Sequence, residues 1–161
     1  MSITQQIAEH FREVHTGGNW TASNLKDNLA GISWEQAVKR VDGLNSIAML
    51  VYHMNYYVEI ILNVLQGKPL DGNDRLSFNL PPIQREEDWN NLVQKSFTNA
   101  EALAKLIEQL SDEVLAEPFA NGKYGNYYRN FAGLIEHTHY HVGQIAVIRK
   151  LILSPSPSLN R

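Results

Sequence analysis

Between Ser46 and Gly67 the apolar residues Ile47, Leu50, Val51, Met54, Val58, Ile61, Leu62 and Leu65 recur three and four positions apart. That spacing lines them up along one stripe of an α-helix. Asn45 or Ser46 stands where an N-cap belongs, and Gly67 with Pro69 ends the run. A helix with so broad an apolar stripe has to be covered by partners of the same kind.

Three further segments supply them. Ser2 with Gln5 makes a capping box, and Ile3, Ile7, Phe11 and Val14 follow as a stripe that stops at Gly17-Gly18. Glu86-Glu87-Asp88 place acid at the positive end of a third long helix, whose apolar face is Trp89, Leu92, Val93, Phe97, Ala100, Leu103, Ile107 and Leu110. Asn130 is the expected cap of the fourth, with the inner stripe Phe131, Leu134, Thr138, His141, Ile145, Ile148 and Ile152. Between the first two long helices lie two short pieces, Ser23–Leu29 and one capped by Ser33 with Gln36 at the box position. Residues 71–85 carry Gly72, Pro81 and Pro82 with no period, and read as a crossover loop longer than most bundle connections. No segment shows strand period. The expected fold is all-α, a four-helix bundle.

The size, 161 residues, suits one domain with a full core. We expect it to span residues 1–153, with 154–161 as a short flexible tail. A net charge of -3 lacks the basic excess of a nucleic-acid binder. The absence of cysteine removes disulfides, thiolate metal sites and a cysteine nucleophile, and fits a cytoplasmic protein. The N-terminus lacks the basic and apolar regions of a signal peptide. No apolar run is read as approaching the roughly 20 residues of a membrane span.

Chemistry concentrates in Glu136-His137-Thr138-His139-Tyr140-His141-Val142-Gly143-Gln144, which holds three of the six histidines. His137 and His141 are four apart and share a helix face, so two neutral imidazoles there can grip one ion, at about 2.0–2.1 Å each if it is zinc. His139 is turned about 160° from both and is excluded from their ion, which leaves it a surface or interface residue. A third histidine has to come from His10, His15 or His53. His10 adjoins the stripe of the first helix, and His15 reads as an exposed helix-end residue. His53, three after Leu50, sits at the edge of the buried stripe of the second long helix. If the second and fourth helices are neighbours, the rings of His53, His137 and His141 meet in a three-histidine site with an open coordination position. The competing reading is core-edge histidines satisfied by tyrosines, asparagines or water. Gln144 can approach the same site, with Asn55 and Tyr56 as supporting candidates around His53. No His-Glu-x-x-His pattern, serine triad or phosphate loop is present.

On Ser46-Ile47-Ala48-Met49-Leu50-Val51-Tyr52-His53 and His137-Thr138-His139-Tyr140-His141-Val142-Gly143-Gln144-Ile145 the chain resembles the DinB/YfiT-like superfamily. Trp34 through Ala37 also resembles that family's segment approaching the second helix, and the likeness covers most of residues 3–153. The resemblance implies up-down-down-up topology with 71–85 as the long crossover between helices 2 and 3. It implies a divalent ion, nickel or zinc, on His53, His137 and His141, and a homodimer. The family usually has arginine where this chain has Val142.

Two functions are expected on this basis. One is a metal-dependent enzyme acting on a small molecule, either a hydrolase or an S-transferase using a low-molecular-weight thiol. In the first an ion-bound water is acidified towards neutrality, and in the second the ion lowers a thiol pKa. The other is a non-catalytic stress-response bundle that binds metal or a small ligand.

Overall fold

The computed structural model describes residues 1–154; of the expected tail, 155–161 lie outside the described residues. The elements are α1 (Ile3–Thr16), α2 (Leu25–Leu29), α3 (Trp34–Val38), α4 (Ile47–Leu65), α5 (Glu86–Glu108) and α6 (Tyr127–Leu153). Two 3-10 turns, Asp74–Leu76 and Asp112–Ala116, interrupt the long connections. Among the described residues the only β feature is an isolated bridge between Pro118 and Asn126, so the chain is all-helical.

Local chemistry sets the helix starts. The capping boxes at Ser2/Gln5 and Ser33/Gln36 both close, each serine oxygen accepting a backbone N–H while the glutamine reaches back. Ser46 rather than Asn45 caps α4, accepting from the Met49 N–H. The expected cap of α6 is corrected: the helix begins one turn earlier, at Tyr127, and Asn126 is its cap, accepting from the Arg129 N–H. Asn130 lies inside the first turn, where its amide donates to the Tyr124 and Asn126 carbonyls and ties the preceding loop to the helix.

Four long helices share one core. α4 packs on α5 and α6, and α1 packs on the same two. Leu50, Met54, Leu103, Ile107, Phe131 and Ile145, drawn from the predicted stripes, are buried at its centre. Trp89 is buried as well and donates its indole N–H to the Ile32 carbonyl at 3.0 Å, which satisfies the one polar atom it brings into the core.

The helix ends are tied in pairs. Asp112, just past α5, accepts from the Ile3 and Thr4 N–H groups at 3.0 and 2.9 Å and so caps the positive end of α1. Arg12 of α1 pairs with Glu101 and Glu108 of α5 at 2.9 and 2.7 Å. α4 and α5 both pack on α3; Arg40, two residues past α3, approaches Met49 near the start of α4, and the Trp34 N–H donates to Glu86 at the start of α5. Between α4 and α5 the 66–85 connection touches His53 through Ser77.

Two sequence expectations change here. His15 is not exposed; it is 2% exposed, its Nδ1–H donates to the Phe11 carbonyl at 2.8 Å, and its ring lies edge-on to Phe11 and Phe97. The reversal has a simple cause: α5 covers the α1 face that the apolar count had left polar. α4 is also long and apolar enough to cross a membrane by length and composition, contrary to the expectation that no apolar run approaches that length. More than half of it is buried against α5 and α6, as in the core helix of a bundle.

Candidate metal centre

α4 and α6 pack on each other, and three histidines meet at their contact. His53 enters from α4, and His137 and His141 from successive turns of α6. His137 Nε2 lies 3.0 Å from His53 Nε2 and 3.1 Å from His141 Nε2. The three ligand atoms fall within 4.8 Å of one another. A tetrahedral ion about 2.0–2.1 Å from each nitrogen would hold its ligands about 3.3–3.4 Å apart, so the cluster is near the required size.

The opposite ring edges decide what these nitrogens present. The Ser77 hydroxyl donates to the Asp74 carbonyl at 2.6 Å, so its oxygen can only accept from His53 Nδ1, 2.9 Å away. His53 is thereby protonated on Nδ1 and turns a bare Nε2 lone pair inward. His141 Nδ1 lies 2.7 Å from the Gln144 amide oxygen, also an acceptor, with the same result. His137 Nδ1 is buried without a partner. A proton on His137 Nε2 can serve only one of the two facing lone pairs. A proton on its Nδ1 instead leaves three lone pairs converging. Either way at least one inward lone pair is left without a donor, a place a cation could fill.

That cation is not readily a proton. Burial, followed by the neighbouring His141 and His53 rings, pushes His137 down to about 4. Burial and then His141 lower His53, against a smaller opposing pull from Ser77 and Asp74, and burial lowers His141 against the pull of Gln144. Three neutral imidazoles with inward lone pairs are a donor set suited to zinc or nickel. The three-histidine group could hold a metal ion, and the arrangement is compatible with a metal-binding protein.

The supporting residues differ in part from those expected. Gln144 lies where it can orient His141. Asn55 is buried against α5, accepting from Asn99 at 2.9 Å, and makes no hydrogen bond to the three histidines. Tyr56 points at the crossover, its hydroxyl donating to the Asn73 carbonyl and accepting from the Asn73 N–H. Two tyrosines touch the rings: Tyr57 lies 5.2 Å from His53 and 4.9 Å from His137 between centroids, and Tyr140 lies 5.0 Å from His141. Of the two, Tyr57 is the one bonded to the crossover segment. Its hydroxyl donates to Asp74, and burial together with that bond raises its pKa to about 12. Phe78 stacks on His53 with centroids 4.0 Å apart. Tyr57 had a sequence signal, being one helical turn after His53. Ser77, Asp74 and Phe78 sit in a segment without period and had none beyond the length of the loop.

His10 stays with α1 and faces His139, ring centroids 6.0 Å apart, so these two histidines form a separate pair between α1 and α6. Val142, where arginine is usual in the resembling family, is 1% exposed and packs in the core. The position therefore offers no polar group to the centre.

A family model described as the DinB superfamily matches residues 18–145, a span that contains all three histidines and α2 through most of α6. No curated protein and no solved structure matches the chain. With a matched segment covering most of its length, the chain belongs to the DinB superfamily.

Proposed function

We propose that this protein is a metal-dependent enzyme of the DinB superfamily whose His53, His137 and His141 hold a divalent ion, zinc or nickel, for hydrolysis or thiol S-transfer on a small molecule. The observation that carries the reading is the inward convergence of three imidazole Nε2 atoms, two of them fixed as lone-pair donors by Ser77 and Gln144. The bound ion would supply Lewis acidity, to a water or to a thiol. The chain's own contribution is to fix ring orientation and to limit water. His53 and His141 are under a tenth exposed, and Phe78 and Tyr57 cover the rings. A cleft of about 530 Å³ lined by Leu44, Asn45, Leu50, Tyr140, Gln144 and Val147 adjoins the centre through Gln144, a size suited to a small molecule.

For the fold we read the up-down-down-up four-helix bundle of the family, in one domain. Supporting this are the ties of the α4 and α5 starts to α3 and of the α1 start to the end of α5.

The test is metal analysis of protein made without a histidine tag, followed by His53→Ala and His141→Ala. The expected result is one equivalent of metal in the wild type and loss in both variants. Substoichiometric metal in the wild type, or full retention by the variants, sinks the reading. A second reading, non-catalytic metal or ligand binding, is favoured by the covering of the rings by the crossover segment. Transfer assays with several low-molecular-weight thiols and electrophilic acceptors on metal-loaded protein separate the two: turnover supports the enzyme, and uniform inactivity supports the binder.

A further inference from the structure

Three neutral imidazoles around a divalent ion leave a double positive charge in a largely buried place. No carboxylate is among the ligands. A buried charge without compensation is costly, and the cost is lowered by an opposite charge held nearby. Among the described residues, Asp74 is placed to supply it. Asp74 opens the 3-10 turn of the crossover segment, directly over the α4 end of the centre.

Four contacts hold it there. Its carboxylate accepts from the Tyr57 hydroxyl, whose ring edges both His53 and His137. Its backbone carbonyl accepts from Ser77, and Ser77 in turn accepts from His53 Nδ1. Its Oδ1 lies 3.5 Å from the same Ser77 hydroxyl. Its neighbour Asn73 is bonded twice to Tyr56. Of two consecutive tyrosines just past the ligand His53, Tyr57 thus holds the Asp74 carboxylate and Tyr56 holds the backbone before it, beside a centre that has no carboxylate of its own.

We infer that Asp74 is the counter-charge of the metal centre, a positioning residue that raises metal affinity from outside the ligand set. The inference rests on the three-histidine metal reading and deepens it. Asp74→Asn preserves shape and removes charge. Zinc affinity, measured by competition with a chromophoric chelator, should fall about 10- to 100-fold in that variant, the range seen when groups behind metal ligands are altered.

Two further measurements separate charge from mere strap docking. The gap between wild type and Asp74→Asn should narrow from about 0.01 M to about 1 M salt, as the screening length shrinks from about 30 to about 3 Å. Tyr56→Phe, which loosens the strap and keeps the carboxylate, should lose clearly less affinity than Asp74→Asn. Metal-free melting of Asp74→Asn should match the wild type. A wild type that binds no zinc overturns the metal reading and this one with it. A wild type that binds zinc, with Asp74→Asn binding as tightly, overturns the counter-charge alone. Equal losses in Tyr56→Phe and Asp74→Asn, with no salt dependence, overturn it as well.

Discussion

Replacing His15 by leucine should remove a specific part of the acid sensitivity of the fold. His15 is buried between α1 and α5, and burial, partly offset by its bond to the Phe11 carbonyl, lowers its pKa to about 4. In the unfolded chain it titrates near 6.5. Above that pH neither state binds the proton, and stability does not respond. As pH falls from about 6.5 towards 4, the unfolded chain takes the proton and the folded one does not, so stability drops until both are protonated. The full gap is about 2.5 pH units, or about 3.4 kcal/mol, of which about 2 kcal/mol is lost by pH 5.

The leucine variant lacks this term. Its other costs are small, since the Phe11 carbonyl still accepts its helical bond. Urea unfolding with chelator present, at pH 7.5 and pH 5, gives the comparison. Wild type should lose about 2 kcal/mol more than His15→Leu over that interval, equivalent to a melting difference of about 4–8 °C for a chain of this size. All other ionisable groups are common to both proteins, so the difference isolates the substituted position. Parallel losses would show that His15 is solvated or mobile, and would refute the buried placement.

Leu103→Ala, at a fully buried position of α5, should cost about 2–5 kcal/mol by leaving a cavity, read from the shift of a denaturation midpoint at constant slope. Ser46→Ala should cost about 1 kcal/mol by freeing the Met49 N–H at the start of α4, while Asn45→Ala, one residue earlier, should cost much less. Gln144→Leu removes the acceptor that fixes the His141 tautomer and should weaken zinc binding about 10- to 100-fold without lowering metal-free stability to a similar degree. Unchanged affinity in that variant would mean that His141 orients itself without its amide partner.

The sequence was most informative where contacts follow helical period. The stripe from Ile47 to Leu65 and the four-residue step from His137 to His141 fix faces, and faces that must be buried find one another. His53 was legible because it sits on the border of a stripe, where an imidazole needs a partner. His15 was misjudged because apolar counting assigns a histidine to the polar side, whereas α5 closes over it. Asn126 and Asn130 are four apart and of one type, so composition does not choose between them; in the structure Asn126 is the one that accepts from the Arg129 N–H. Ser77, Asp74 and Phe78 reach the centre by long-range docking of an irregular segment. Nothing in their spacing encodes that approach, and only the unusual length of the connection hinted at a cover.

The geometry of the histidine ligands also bears on how the site comes into being. His137 and His141 become a chelating pair as soon as one stretch of α6 winds, whereas His53 stands 84 residues from His137 along the chain and arrives only when α4 docks. Closing a loop of that length is slow relative to winding a helix turn. A nascent chain that meets its ion early would be gripped first by the α6 pair, which would staple the middle of a helix before its neighbours are in place. A chain that folds without the ion has to bring three mutually repelling lone pairs together unaided. The order of assembly, and with it the refolding rate, should therefore depend on whether the ion is present from the start.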